Sequence, residues 1–163
     1  NKYGISPLII SSKRGYYDII KVLLENEADV NHKDFVFKTS AIWQASFKGF
    51  LNIVSTLLDN GANPNDSDKD GRTILMLAAY KGHTEIVKLL LNYELELNAV
   101  DNINGTAIMW AAFGGNSDIV KLLIEKNADL EKKNIEGKTA LNLATEKGYT
   151  QIAELLASAG AKE

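Results

Sequence analysis

Apolar residues recur along this chain in one pattern of 33 residues, which is most complete between residues 68 and 100. In this unit Leu75, Ala78 and Ala79 stand at helical spacing, and a wider apolar stripe runs from Ile86 to Leu91. Side chains at such spacing share one face of a helix. The pattern therefore predicts two short amphipathic helices in each unit.

Polar and glycine positions mark where these helices are expected to begin and end. Asp70-Gly71 is a tight-turn signal, and the Thr73 hydroxyl is suited to capping the start of the first helix. Gly82 is expected to end that helix, and Thr84 to open the second. Two short helices joined at a glycine form a hairpin whose apolar stripe needs a neighbour on each side.

The glycine that joins the two helices recurs at a fixed interval. Its five copies are Gly15, Gly49, Gly82, Gly115 and Gly148, separated by 34, 33, 33 and 33 residues. A constant period in this range is the sequence signature of a stacked repeat array. We therefore predict one domain, 1–163, built from five repeats. Their expected bounds are 1–33, 34–67, 68–100, 101–133 and 134–163.

The short motifs within the unit resemble the ankyrin repeat. The residues that carry the resemblance are Ser6-Pro7-Leu8, Ala28-Asp29-Val30-Asn31, Ala78-Ala79, Gly82-His83, Ile86-Val87 and Leu89-Leu90. The resemblance covers the whole chain. It implies an all-α repeat solenoid of helix-turn-helix units with short β-hairpin loops, a concave binding face and no intrinsic catalysis. It also implies structural, hydrogen-bonding roles for His83 and for the exit-loop residues Asn31, Asn65 and Asn98.

The two ends of the array depart from the pattern in different ways. In the first repeat Ser11-Ser12 replace the alanine pair, but apolar residues remain where a terminal repeat usually becomes polar. We therefore expect the native protein to continue upstream. The last helix is more polar and suits a C-terminal cap. Its polar residues are Gln151, Glu154 and Ser158.

The second repeat begins with an unusual turn. Residues 34–38 contain one residue more than the corresponding turns and no glycine where Gly71 and Gly137 stand. They also carry Phe35 and Phe37. Two aromatic residues at a loop tip indicate either a binding feature or a local packing solution, and the sequence leaves both open.

Composition and charge narrow the classes of partner. The chain has 45% hydrophobic and 24% charged residues and a net charge of −3, which is ordinary for a globular domain. The mild acidity argues against nucleic acid as a partner. The apolar runs are shorter than the roughly 20 residues that a membrane helix needs, so we expect no membrane insertion. The chain contains no cysteine, which excludes disulfides and thiol chemistry.

Three short motifs suggest calcium, phosphate or metal binding, but each lacks a residue that this chemistry requires. Residues 66–71 resemble the start of a calcium loop, but Leu77 stands where the bidentate glutamate is required. Gly137-Lys138-Thr139 resembles the end of a phosphate loop, but its first glycine would fall at Lys132. His32 and His83 have no partners at metal-ligand spacing. We therefore expect no enzyme activity, no catalytic residue, no metal and no cofactor.

The strongest functional signal lies in two columns between the alanine pair and the glycine. The first column holds Lys13, Phe47, Tyr80, Phe113 and Glu146, and the second holds Arg14, Lys48, Lys81, Gly114 and Lys147. Stacking aligns each column along the array. Trp110 lies three residues before Phe113 and so is expected beside it. Trp43 and Met76 are expected to be half-buried.

These columns and the loop tips form the expected partner-binding surface. Its residues are Tyr3, Ile5, Lys13, Arg14, Phe35, Phe37, Phe47, Lys48, Arg72, Tyr80, Lys81, Ile103, Trp110 and Phe113. Interface cores are enriched in aromatic residues, so we predict that the chain is a protein–protein interaction scaffold. We expect it to be a monomer, and we expect its partner to be a protein or peptide with apolar and acidic side chains. In the opposing interpretation the lysines only solvate the surface and the aromatics cover the helices beneath them. The chain would then be a spacer or a regulatory arm of a larger protein. A third interpretation, an engineered consensus binder, is disfavoured by irregular choices such as Ser11-Ser12.

Overall fold

The computed structural model describes residues 2–162, which form ten α-helices in five consecutive pairs. The first helices of the pairs are α1 (Pro7–Arg14), α3 (Ala41–Lys48), α5 (Ile74–Lys81), α7 (Ala107–Phe113) and α9 (Ala140–Glu146). The second helices are α2 (Tyr17–Glu25), α4 (Leu51–Asp59), α6 (Thr84–Leu90), α8 (Ser117–Glu125) and α10 (Thr150–Ser158). The prediction of an all-α repeat solenoid is confirmed.

Each first helix begins at a serine or threonine that caps it. The Thr73 hydroxyl accepts a hydrogen bond from the Met76 N–H at 3.2 Å, as predicted for this residue. Ser6, Ser40, Thr106 and Thr139 occupy the same N-cap position in the other repeats. A cap of this kind satisfies one of the backbone N–H groups that lack a partner inside the helix.

The recurring glycine has two structural roles at the junction between the two helices of a repeat. Gly82 ends α5 in the left-handed region, at φ +76°, where a side chain is disfavoured. A Cβ atom at Gly49 would also lie 2.6 Å from the imidazole ring of His83 in the next repeat. The glycine therefore lets the chain turn and lets the next repeat approach closely.

The core runs along the whole stack because each first helix packs against the next one. The pairs α1–α3, α3–α5, α5–α7 and α7–α9 are in direct contact. Ala78 and Ala79 are fully buried in α5, so their small side chains permit a close neighbour on this helix. The second helices contribute large apolar side chains that are at most 1% exposed. These are Ile53, Leu57, Ile86, Leu90, Ile119 and Leu123.

The turn tips between repeats are tighter than the predicted β-hairpins. Within residues 2–162, extended pairing is limited to one isolated antiparallel bridge, between Ser67 and Thr73. The third tip is closed by a hydrogen bond from the Asp68 N–H to the Arg72 carbonyl at 3.2 Å. The expectation of short β-hairpin loops is therefore not confirmed, although the turns stand where it placed them.

One backbone hydrogen bond joins each tip to the next. The donor and acceptor pairs are Phe35 N–H to Tyr3 O (2.9 Å), Lys69 N–H to Phe37 O (2.9 Å), Asn102 N–H to Asp70 O (2.9 Å) and Ile135 N–H to Ile103 O (3.0 Å). These bonds link the five tips into a continuous row beside the first helices.

Asparagines join the exit loops on the other side of the stack. Asn31 donates its amide N–H to the Gly61 carbonyl at 2.9 Å and accepts from the Asn63 N–H at 2.9 Å. Asn65 donates to and accepts from the backbone of the following loop in the same way, and the Asn98 side-chain oxygen accepts a hydrogen bond from the Asp129 N–H at 2.9 Å. The expected structural role of these asparagines is confirmed.

Candidate binding surface

The turn tips and the exposed side of the first helices form one continuous surface, which we call the tip–helix face. Grooves cross it where neighbouring repeats meet. Groove 1–2 lies between the first and second repeats and encloses about 670 Å³. Groove 2–3 and groove 4–5 enclose about 230 Å³ and 340 Å³. Between the third and fourth repeats the face is occupied by aromatic side chains.

Groove 1–2 combines an apolar lining with positive charge. Ile5 and Ile10 line it from the first repeat. Lys13, Arg14 and Lys48 also line it, and none of the three has an ion-pair partner among residues 2–162. Unpaired cations beside apolar side chains suit a ligand that carries carboxylates next to apolar groups.

An aromatic cluster fills the face between the third and fourth repeats. The Tyr80 ring centroid lies 5.6 Å from that of Trp110 and 6.1 Å from that of Phe113. Trp110 and Phe113 meet edge to face at 6.1 Å, which confirms that they lie side by side. Tyr80 is 36% exposed and the other two are half-buried, so the cluster remains accessible from solvent.

Phe47 lies outside this cluster and stacks on Trp43 instead. The two ring centroids are 5.5 Å apart and the planes are inclined by 15°. Phe47 is half-buried, whereas Trp43 is 9% exposed and Met76 is 2% exposed. The expectation that Trp43 and Met76 are half-buried is therefore wrong. Met76 is buried in the core, and Trp43 is buried beneath Phe47 at the wall of groove 2–3.

Lysine ammonium groups lie over the aromatic rings and connect them. The Lys81 ammonium is 4.8 Å from the Phe47 ring centroid and 5.3 Å from that of Tyr80. The Lys147 ammonium is 4.2 Å from the Phe113 centroid. These distances are within the range of cation–π attraction. Lys81 thus bridges Phe47 to the aromatic cluster, and the row of rings carries positive charge on its surface.

The two phenylalanines of the second tip have different environments. Phe35 is 61% exposed, but its ring lies over Gly4, where a Cβ atom would come within 2.6 Å of it. Phe37 is 59% exposed and lines both groove 1–2 and groove 2–3. Of the two interpretations of this tip, local packing fits Phe35 and a contact surface fits Phe37.

The remaining residues of the expected surface lie at the tips. Tyr3, with 48% of its surface exposed, lines groove 1–2, and Ile103, with 44% exposed, lines groove 4–5. Arg72 lines groove 2–3, but its guanidinium is 2.7 Å from the Asp68 carboxylate and 3.0 Å from that of Asp70. Its charge is therefore largely neutralised within the tip.

Buried carboxylates beneath the tips were missed by the sequence analysis. The Asp101 carboxylate accepts hydrogen bonds from the N–H groups of Ile103 (3.0 Å) and Gly105 (2.7 Å), and from the Trp110 indole N–H (2.8 Å). Asp34, Asp68 and Asn134 bond to their own tips in the same way. An Asp or Asn at this fixed place in four repeats is the signal that could have revealed them.

The environment of Asp34 shows how strongly these groups are held. Burial by itself raises the pKa of the Asp34 carboxyl. Hydrogen bonds from the Thr39 hydroxyl and from the N–H groups of Phe37, Thr39 and Val36 outweigh that effect, so the pKa is lowered. The ionised carboxylate is thus an integral part of the second tip.

The motif that resembles a calcium loop has its carboxylates occupied by side chains. Asp66 is buried and pairs with the Lys33 ammonium at 2.5 Å and with the Ser40 hydroxyl. Asp70 pairs with Lys69 and with Arg72. Within the described residues, no group of three or more His, Cys, Asp or Glu side chains is arranged to hold a metal ion.

Both histidines bond to backbone carbonyls. His83 Nε2 lies 3.3 Å from the Phe47 carbonyl oxygen, at the end of the first helix of the preceding repeat. His32 Nε2 lies 2.6 Å from the Gly4 carbonyl oxygen. The structural role implied for His83 is confirmed.

Comparison with known families agrees with this architecture. A model described as ankyrin repeats in three copies matches residues 33–101 and 96–163, and a model of a single ankyrin repeat matches residues 3–35. The chain belongs to the ankyrin repeat family. Ankyrin repeats are generally protein–protein interaction modules and are typically not enzymes. A comparison with curated proteins finds no match. In the described part of this ankyrin repeat chain, every helix is too short or too polar to cross a membrane.

Proposed function

We propose that this chain is a non-catalytic protein–protein interaction scaffold that binds its partner on the tip–helix face. The observation that carries the proposal is the solvent-accessible row of Phe47, Tyr80, Trp110 and Phe113, the aromatic row, with lysines over its rings and with the unpaired cations of groove 1–2 beside it. Aromatic anchors typically supply most of the binding energy of an interface. The five repeats act together as one domain, because the face runs across all of them.

The partner is a protein or peptide with apolar side chains and nearby carboxylates. Its apolar groups lie against Tyr80, Trp110 and Phe113, and its carboxylates approach the lysines above the rings and the cations of groove 1–2. Because the stacked helices hold the face in place, binding orders little of the scaffold and loses little entropy. The chain acts as a monomer, without a cofactor or a metal.

The proposed contact residues are those of the expected surface. They are Tyr3, Ile5, Lys13, Arg14, Phe35, Phe37, Phe47, Lys48, Arg72, Tyr80, Lys81, Ile103, Trp110 and Phe113. Among them, Phe35 and Arg72 are partly engaged within the protein, so we assign the larger contributions to the aromatic row and to Lys13, Arg14 and Lys48.

Peptides selected from a random display library against the full chain test this function. We expect the selected peptides to carry Asp or Glu beside apolar residues. Changing Phe47, Tyr80 and Phe113 together to alanine should weaken their binding by about 100-fold, because each lost anchor costs about 1 kcal/mol or more. The measurement is isothermal titration calorimetry, with circular dichroism to show that the variant remains folded.

Leu51→Ala is the matched control. Leu51 is 40% exposed, but it lies on α4 and lines none of the three grooves, so this change should leave affinity within about twofold. Equal binding by the triple variant and the parent chain would remove the site assignment. Failure of the library to yield any binder would favour the alternative, a spacer or regulatory arm of a larger protein.

A further inference from the structure

Groove 1–2 differs from the junction of the third and fourth repeats in what fills it. At that later junction the Tyr80 ring lies 5.6 Å from the Trp110 ring and 6.1 Å from the Phe113 ring, and these side chains occupy the face themselves. The positions of Tyr80 and Trp110 are held by Lys13 in the first repeat and Gln44 in the second. Without these two rings the junction stays open and encloses about 670 Å³.

The volume of each groove follows the residue that the preceding repeat supplies in the first column. Phe47 and Phe113 contribute a ring to groove 2–3 and groove 4–5, which enclose about 230 Å³ and 340 Å³. Groove 1–2 receives Lys13 instead and has about twice the volume of groove 4–5. A lysine extends its charged end toward water and leaves apolar surface beside it uncovered. The open space is within the range of roughly 300–1,000 Å³ that is typical of ligand sites.

The lining of groove 1–2 suits a bulky apolar group. Ile9 lines it from the core, with 3% of its surface exposed. Ile10 and Val36 also line it and are exposed to solvent. Exposed apolar side chains rimmed by polar ones typically mark an interaction site. Because aromatic rings fill the equivalent place between the third and fourth repeats, an aromatic ring is the group that this groove fits.

Groove 1–2 also presents cations that no carboxylate of the described residues neutralises. Lys13, Arg14 and Lys48 line it and have no ion-pair partner among residues 2–162. Asp34 is the only acidic side chain that the described residues contribute to the lining. Its carboxylate is occupied by N–H groups of its own tip and by the Thr39 hydroxyl. Carboxylates from a partner therefore complement the charge of this groove.

Groove 4–5 lacks this combination. Its Lys138 ammonium lies 2.8 Å from the Glu136 carboxylate and 2.8 Å from the Glu146 carboxylate. The Lys147 ammonium lies over the Phe113 ring, at 4.2 Å from its centroid. Acidic side chains of the protein itself thus take the place that a partner's carboxylates would need.

We propose that groove 1–2 is the anchor site of the tip–helix face, and that it takes an aromatic side chain of a partner segment whose neighbouring residues are aspartate or glutamate. The ring occupies the place that Tyr80 and Trp110 fill in the later junction, and the flanking carboxylates meet the cations of the groove. This inference rests on the proposed binding role of the tip–helix face and adds the residue that the partner supplies. The already filled junction of the third and fourth repeats is then a contact surface and not a pocket.

The probe for the full chain is a short blocked peptide, acetyl-Glu-Asp-Trp-Asp-Glu-amide. Isothermal titration calorimetry compares it with two matched peptides, one with alanine for tryptophan and one with the corresponding amides for the acids. We expect each replacement to weaken binding by about 10-fold or more, because one removes the anchor and the other removes the charge partners. Equal affinity for the tryptophan and alanine peptides, or no binding of the probe at about 1 mM, would overturn the proposal.

Gln44→Trp closes the groove without removing a charge, because it places in the second repeat the residue that the fourth repeat carries at Trp110. We expect this variant to bind the probe about 10-fold more weakly or worse, with circular dichroism showing that it remains folded. Gln44→Ala is the matched control. It removes the same side chain but leaves the groove open, so affinity should stay within about twofold. Unchanged binding by folded Gln44→Trp would overturn the proposal.

Nuclear Overhauser effects between the probe's indole and the protein locate the ring without any substitution. We expect them to the methyl groups of Ile10 and Val36. Effects confined to Tyr80 and Phe113 would overturn the anchor site and still support the proposed function, because the probe would lie on the tip–helix face outside groove 1–2. Effects confined to α4, α6 and α8 would contradict both.

Discussion

Two buried serine hydroxyl groups lower the stability of the contact between stacked first helices. The hydroxyl oxygens of Ser12 and Ser46 are buried and lack a hydrogen-bond partner within the described residues. The equivalent positions in the third and fourth repeats, Ala79 and Ala112, are fully buried methyl groups. A buried hydroxyl without a partner loses about 1–3 kcal/mol of hydration free energy. The two serines therefore weaken the contact between the first helices.

We predict that Ser46→Ala raises the free energy of unfolding by about 1 kcal/mol, because it removes the unpaired hydroxyl and favours the helix. Urea denaturation at 25 °C measures the change. Ala79→Ser is the matched reverse substitution one repeat further on, and it should lower the free energy of unfolding by a similar amount. A loss of stability in Ser46→Ala would show that the hydroxyl has a stabilising role.

At the residue scale, the sequence predicts which side chains share a column but not how they contact each other. The spacing of Trp110 and Phe113 places them side by side, and the structure confirms it. The bridge from Lys81 to both Phe47 and Tyr80 depends on the distance between stacked helices, which spacing along the chain does not define. The burial of Trp43 depends in the same way on the neighbouring repeat.

At the scale of elements, the tips vary while the helices stay constant. The residue two positions before each N-cap takes the left-handed conformation. Gly4, Gly71 and Gly137 hold this position in three repeats and Asn104 in a fourth. In the second repeat it is Lys38, with φ +57°. A residue with a Cβ atom is disfavoured there by about 1 kcal/mol, and asparagine less so. The longer second tip is therefore locally strained at Lys38.

We predict that Lys38→Gly stabilises the chain by about 0.5–1 kcal/mol, because glycine adopts this conformation without a steric penalty. The Lys38 side chain is exposed, so little else is lost. Lys38→Ala is the control, since it removes the same side chain but keeps the Cβ atom, and it should give no gain. The midpoint of thermal unfolding compares the three proteins. Equal midpoints for the glycine and alanine variants would contradict this interpretation.

The boundaries of the helices follow from local signals, and the shape of the tips does not. Thr73 and Gly82 cap the two ends of α5 through contacts with residues close by in the sequence. The sequence alone therefore predicts their capping roles. The tips of the second to fifth repeats are instead held by the side chain of an Asp or Asn, and each is bonded to the neighbouring tip. Those contacts close the turn before strands of useful length can form. This explains why the β-hairpin expectation is not confirmed.

At the scale of the whole molecule, charge is distributed unevenly. The chain carries 18 basic and 21 acidic residues, for a net charge of −3. Lys13, Arg14, Lys48, Lys81 and Lys147 nevertheless gather on or beside the tip–helix face without an ion-pair partner in the described part of the chain. The positive electrostatic potential of these side chains attracts a negatively charged ligand, and added salt weakens that attraction.

Hydrogen exchange of the full chain, with and without a selected acidic–apolar peptide, tests the binding role of the tip–helix face most directly. We predict slower exchange in the turn tips and in α3, α5 and α7, and no change in α4, α6 and α8. The same peptide with its carboxylates replaced by amides should protect these segments less. Protection confined to α4, α6 and α8 or to the exit loops would contradict a binding role for the tip–helix face, because the partner would then occupy a different side of the stack.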